Sequence, residues 1–125
     1  MPAKRLTAVI ADDDQYLREL LRLLLRSDVY DVVGEASNGE SATELCKRLL
    51  PDVTLLDINM PVKDGLAVLD ELTTAKYPGK VVMMSAEATL DRVKLAIEKG
   101  AAGFIVKPFN SGTVLDELRL CLQKK

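Results

Sequence analysis

The sequence predicts an α/β fold: a doubly wound (βα)5 sandwich, with a five-stranded parallel sheet of order 2-1-3-4-5 and helices on both faces. Three observations predict it. Short apolar runs alternate with amphipathic segments along the whole chain. Several of these runs are nearly all apolar, as strands are when both faces of a sheet are covered. The runs end in polar side chains, and in this fold class sites form beyond the carboxyl ends of the strands, at the switch point between strands 1 and 3.

The strands are expected at Leu6–Ala11, Asp31–Ala36, Val53–Leu56, Val81–Met84 and Gly103–Val106. Between them lie helical repeats. Leu17, Leu20, Leu21 and Leu24 stand at offsets 0, 3, 4 and 7, and Ala42, Leu45, Cys46 and Leu49 repeat that spacing. Leu66, Leu69 and Leu72 mark a third helix. Leu90, Val93, Ala96 and Ile97 mark a fourth, stopped by Gly100. Val114, Leu118, Cys121 and Leu122 mark the last, capped by Asn110 or Ser111. Right-handed crossovers between parallel strands prune the remaining topologies. One domain over residues 1–125 is expected, with no room for an output domain.

Composition narrows the chemistry. The chain carries 17 basic and 19 acidic side chains, a net charge of −2, which disfavours a nucleic-acid footprint. Histidine is absent, which removes histidine acid–base catalysis, histidine metal ligation and a phosphohistidine donor role. Two cysteines, Cys46 and Cys121, are too few for a disulfide framework and sit on apolar helix faces, where they pack as small hydrophobes. A reducing, cytoplasmic setting is expected, with no signal peptide and no membrane partner. No Walker-type or GxGxxG glycine spacing supports a nucleotide.

The strand ends carry the chemistry. Strand 1 runs into Asp12 and Asp13, strand 3 into Asp57, strand 4 into Ser85, and strand 5 into Lys107 followed by Pro108. Adjacent carboxylates repel by roughly 3 kcal/mol per pair at about 5 Å and an effective dielectric near 20. A divalent cation relieves that repulsion, and an open carboxylate site suits Mg²⁺. Asp14, by contrast, stands where the first helix starts and reads as its cap.

The motifs ADDD, LLDINMPVKDG, MMSAEA and FIVKPF at these strand ends resemble those of response-regulator receiver domains, over essentially the whole chain. The resemblance implies a flavodoxin-like sandwich and a phosphoacceptor switch of a bacterial two-component phosphorelay, not an enzyme acting on other substrates. It implies that Asp57 accepts a phosphoryl group from a histidine kinase or histidine phosphotransfer protein. Asp13, Asp57 and the Asn59 carbonyl would bind Mg²⁺ (or Mn²⁺), with Asp12 acting through water. Ser85 and Lys107 would hold phosphoryl oxygens, and the small Ala86 would leave room for them.

By the same resemblance, the Lys107–Pro108 bond would be cis, and Asn59 and Glu87 would tune the phosphoryl lifetime. Ser85 and Phe104 would relay the switch to a downstream target on the face of the fourth helix, fifth strand and fifth helix. Ser85 stands where relatives often carry Thr, and Phe104 where many carry Tyr, so a ring hydroxyl bond is impossible. Fixed core is the alternative for Phe104.

Arg18, Arg22 and Arg26 form a helical stripe, read either as a solvated face paired to Glu19 or Asp28 or as a docking strip for an acidic partner. Lys124 and Lys125 read as a solvated tail. The protein is expected to be a monomer or a weak phosphorylation-dependent dimer. A constitutive adaptor and a phosphate sink are the rival readings. A flavin-binding relative is disfavoured by the charged site and the few aromatics.

Overall fold

A computed structural model describes residues 5–123; the Lys124–Lys125 pair lies outside the described residues. Strands and helices alternate in the order β1 (Leu6–Ala11), α1 (Gln15–Arg26), β2 (Tyr30–Ala36), α2 (Gly39–Leu49), β3 (Val53–Asp57), α3 (Gly65–Thr74), β4 (Lys80–Ser85), α4 (Leu90–Glu98), β5 (Gly103–Val106) and α5 (Ser111–Gln123). The strands form one parallel sheet of order β2-β1-β3-β4-β5, as the alternation predicts.

Strand periodicity divides the core in two. Ala8, Ile10, Val53, Leu55, Val82 and Met84 point to the face covered by α1 and α5, meeting Leu21, Leu25, Val114, Leu118 and Cys121. Their neighbours Val9, Ala11, Leu56, Val81 and Met83 point the other way, onto Val68, Leu69, Leu72 and Ala96. Both faces of the central strands are therefore buried, which is why these runs lack polar alternation. Both cysteines are buried, as their helical positions predict, and no disulfide joins them.

The helices start where short polar side chains can hold their first amides. Asp14, Asn38, Asp64 and Thr89 each accept from a backbone N–H two or three residues on. Asn110 does the same for Thr113, so of the two candidates for α5 it is Asn110 that caps. At the end of α4, Gly100 has φ +110, with Gly100 N–H bonded to Ile97 O and Ala101 N–H to Ala96 O. That closure needs a left-handed residue, which glycine adopts without a Cβ penalty.

Several boundaries and faces differ from the sequence reading. β2 begins at Tyr30, whose buried ring packs with α5. β3 and β4 extend through Asp57 and Ser85, because both residues still pair with the neighbouring strand. Leu20, Leu90 and Ile97 are 55%, 74% and 48% exposed, so they are not core positions. Leu49 is also exposed. Helical spacing marks a stripe, but it does not say which flank of the stripe the sheet covers.

Candidate functional site

β1 and β3 are neighbours, and their carboxyl ends bring the acids together. Asp12 is fully buried, Asp57 is 5% exposed and Asp13 faces solvent. One carboxylate oxygen from each lies within 4.8 Å of the others. The two Asp12 oxygens are both engaged: Oδ1 accepts the Asp14 N–H at 2.9 Å and Oδ2 accepts Lys107 Nζ at 2.7 Å. The same Nζ stands 3.3 Å from Asp57 Oδ1. A single ammonium thus bridges the ends of β1 and β3 from the far side of the sheet.

The electrostatics follow from this crowding. Burial, then the nearby Asp12 charge and more weakly Asp13, push the Asp57 carboxyl up from 3.8 to about 6, against the pull of Lys107. For Lys107, burial lowers the ammonium's pKa, but its bond to Asp12 and the charges of Asp12 and Asp57 outweigh burial and raise it. One lysine therefore does not cancel the repulsion among three carboxylates. An oxygen-only, partly open donor set with unrelieved negative charge fits a hard divalent cation.

The remaining predicted residues stand at the end of β4, in or just after β5, and in the loops that follow β3 and β4. Ser85, at the end of β4, is fully buried, and its Oγ accepts the Glu87 N–H at 3.0 Å. That leaves the hydroxyl's own hydrogen to donate. Ala86 is exposed beside it and Asn59 is exposed past Asp57. The Glu87 carboxylate lies 3.5 Å from Arg92 on α4. The Lys107–Pro108 peptide is cis. Phe104 is half-buried, pairs in register with Met83 and packs on the core cluster that holds Ala96 of α4. It sits between the site-bearing sheet and the helix most lightly held, since Ala96 is the only buried residue of α4.

The arginine stripe is paired differently from the sequence expectation. Arg18 and Arg22 pair with Glu35 of β2, at 3.5 and 2.7 Å, rather than with Glu19 or Asp28. Arg18 also donates to the Asp12 carbonyl at 2.7 Å. These two guanidinium groups are committed to the fold, and Arg26 alone is exposed. The exposed strip of α1 is apolar instead: Tyr16, Leu20 and Leu23 are 84%, 55% and 63% exposed. Leu17 and Leu20 line an apolar groove with Ala86, Lys107, Pro108 and Phe109, at the lip of the acidic site. The signal was present in the sequence as apolar residues in excess of one core-facing stripe.

Comparison with known proteins agrees with this geometry. The response regulator receiver domain family matches residues 8–119. Protein CcdB of Bacillus subtilis is 41% identical over 86% of this chain and 90% of its own. The chemotaxis protein CheY of Listeria monocytogenes is 38% identical over 90% of this chain and 95% of its own. The CheX–CheY–BeF3–Mg²⁺ complex from Borrelia burgdorferi superimposes with a TM-score of 0.93 at 29% identity, covering 97% of this chain and 92% of that one. With the acids, hydroxyl and lysine on the sheet edge where such folds carry their sites, the chain belongs to the response regulator receiver domain family, among the CheY-like proteins of two-component signalling.

Proposed function

We propose that the chain is a Mg²⁺-dependent phosphoacceptor that takes a phosphoryl group on Asp57 and uses it to change the surface of α4, β5 and α5. The observation that carries this reading is the meeting of Asp12, Asp13, Asp57, Ser85 and Lys107 at four strand ends. Aspartyl phosphorylation is general in the family. The Borrelia CheY was solved with BeF3 and Mg²⁺ together.

The residues have distinct tasks. An Asp57 carboxylate oxygen attacks phosphorus and forms an acyl phosphate, while the bond from phosphorus to the donor breaks and its electron pair leaves with the donor. For a phosphohistidine donor that leaving atom is an imidazole nitrogen. Lys107 already touches Asp57 and can follow a phosphoryl oxygen, and the Ser85 hydroxyl can donate to another. Asp13, Asp57 and the Asn59 carbonyl would hold Mg²⁺ (Mn²⁺ suits the same oxygens), with Asp12 acting through water. A cation held there would supply charge neutralisation for phosphoryl transfer.

A histidine kinase or histidine phosphotransfer protein is the donor class in this reading. The apolar strip Tyr16, Leu20 and Leu23 beside the groove at Pro108 and Phe109 supports docking there by burial rather than by charge. On activation, Ser85 and Lys107 are drawn to the phosphoryl group. Phe104 and the lightly held α4 then repack, and a downstream target protein reads the change. The two buried thiols are at home in the reducing cytoplasm.

Incubation with a small phosphodonor such as acetyl phosphate tests the reading. One acid-stable, hydroxylamine-sensitive phosphoryl group is expected on the wild type with Mg²⁺. None is expected with EDTA or on Asp57→Asn. Equal labelling of Asp57→Asn would move the acceptor elsewhere. No labelling at all would favour a constitutive adaptor.

A further inference from the structure

The loop between β3 and α3 carries a feature that the phosphoacceptor reading does not use. Val62 has φ +71, and the Lys63 N–H bonds to the Pro61 carbonyl across it at 2.8 Å. This is a γ-turn of the rare positive-φ kind, built on a β-branched residue that disfavours it. Val62 is 76% exposed, so burial of its side chain does not hold the turn. Such a conformation persists only where its surroundings over-determine it.

Two tethers supply the hold: the Gly39 N–H of α2 reaches the Pro61 carbonyl at 3.5 Å, and the next residue, Lys63, ties the turn down through its side chain. Lys63 Nζ donates to Thr43 Oγ1 of α2 at 3.2 Å and pairs with Glu71 of α3. Glu71 is steadied in turn by Lys47 of α2, at 2.7 Å. Thr43 is itself buried and donates to the Gly39 carbonyl at 3.0 Å. The backbone follows the side chain: Lys63 O lies so close to Gly39 that a Cβ there would overlap it. At the other end, the Gly65 N–H bonds to Ile58 O at 2.7 Å and closes the loop's base. Asn59 lies between these two fixed ends, two residues after Asp57.

From this we infer that Lys63 is a positioning residue for the acidic site: by anchoring the strained turn to α2 and α3, it sets where the Asn59 backbone stands relative to Asp13 and Asp57. The inference rests on the Mg²⁺-site reading above. Without the anchor the turn relaxes, the Asn59 carbonyl leaves its place, and the carboxylates alone remain to hold the cation.

Mg²⁺ titration followed by amide NMR tests it, with Lys63→Met, Lys47→Met and Lys63→Met/Val62→Gly beside the wild type. Lys63→Met should bind Mg²⁺ about three- to tenfold more weakly, within the range seen for coupling through packed networks. Before any Mg²⁺ is added, its Asn59 and Val62 amides should already be displaced. Lys47→Met, which removes a Glu71 partner but leaves the loop anchored, should bind as the wild type does. In the double variant, glycine accepts the positive φ without the anchor, and affinity should return. A purely structural role would lower thermal stability in both lysine variants and leave the affinity of the folded protein unchanged; that outcome overturns the inference. So does an equal loss in Lys47→Met, or a double variant no better than Lys63→Met. A wild type that binds no Mg²⁺ is a different failure, because it removes the metal-site reading and this inference with it.

Discussion

Neutralising Asp57 should stabilise the metal-free protein. In the folded chain this carboxyl is pushed from 3.8 to about 6, first by burial and then by Asp12. The folded state therefore holds its proton more tightly than the unfolded state does. Its contribution to stability is fully present below pH 3.8, is lost as pH rises from 3.8 to about 6, and stays lost above that. Each decade between two ionisation constants is ~1.4 kcal/mol, so the ionised Asp57 costs about 3 kcal/mol near pH 7.5.

Asparagine keeps the shape and cannot ionise. Lys107 is not orphaned by the change, because it still holds Asp12 at 2.7 Å. Urea unfolding in EDTA at pH 7.5 should find Asp57→Asn more stable than the wild type by ~2–3 kcal/mol. For a domain of this size that is roughly a 10 °C rise in Tm. Near pH 4 the difference should shrink below about 1 kcal/mol, because the wild-type folded state is then already protonated. A variant no more stable than the wild type at pH 7.5, or a gain of equal size at both pH values, would refute the argument that burial and the neighbouring Asp12 make the ionised Asp57 costly.

Three further outcomes follow from the same geometry. Mg²⁺ affinity by calorimetry should fall by up to about tenfold per pH unit below about pH 6, where Asp57 takes up its proton, and level off above it; a flat profile between pH 5 and 7 contradicts Asp57 as a ligand. Asn59→Ala and Glu87→Ala should change the rate of phosphoryl loss measured in a pulse–chase, since both side chains stand exposed beside Asp57 and Ser85; two unchanged rates would remove them from that role. Leu20→Glu should shift stability by no more than about 0.5 kcal/mol, because the residue is 55% exposed, yet slow phosphotransfer from a protein donor roughly tenfold or more while leaving labelling by acetyl phosphate unchanged; equal slowing with both donors would place the effect in the site rather than in docking.

The sheet order and the strand-end residues are legible in the sequence for one reason: strand ends in a parallel sheet all point to the same edge. Once Leu6–Ala11 and Val53–Leu56 are read as strands, Asp12 and Asp57 must meet there. Other features depend on contacts distant in sequence, which periodicity does not report. Arg18 and Arg22 have acids close by in sequence, Glu19 and Asp28, yet the structure pairs them with Glu35 on the adjacent strand. Leu20 has the spacing of a core residue, but α1 turns that flank toward the groove at Phe109. The Val62 turn carries no signal at all, since valine is among the last residues expected at positive φ and contacts distant in sequence, with Gly39, Thr43 and Glu71, hold it.

The most direct test of the phosphoacceptor switch is the amide NMR spectrum with Mg²⁺, before and after beryllofluoride is added. The wild type should shift at Asp13, Asp57, Ser85 and Lys107, and the shifts should reach Phe104 and the residues of α4, with none of this in Asp57→Asn. Beryllofluoride-independent spectra would contradict a working phosphoryl site, and shifts that stop at Lys107 would contradict its coupling to the face of α4, β5 and α5.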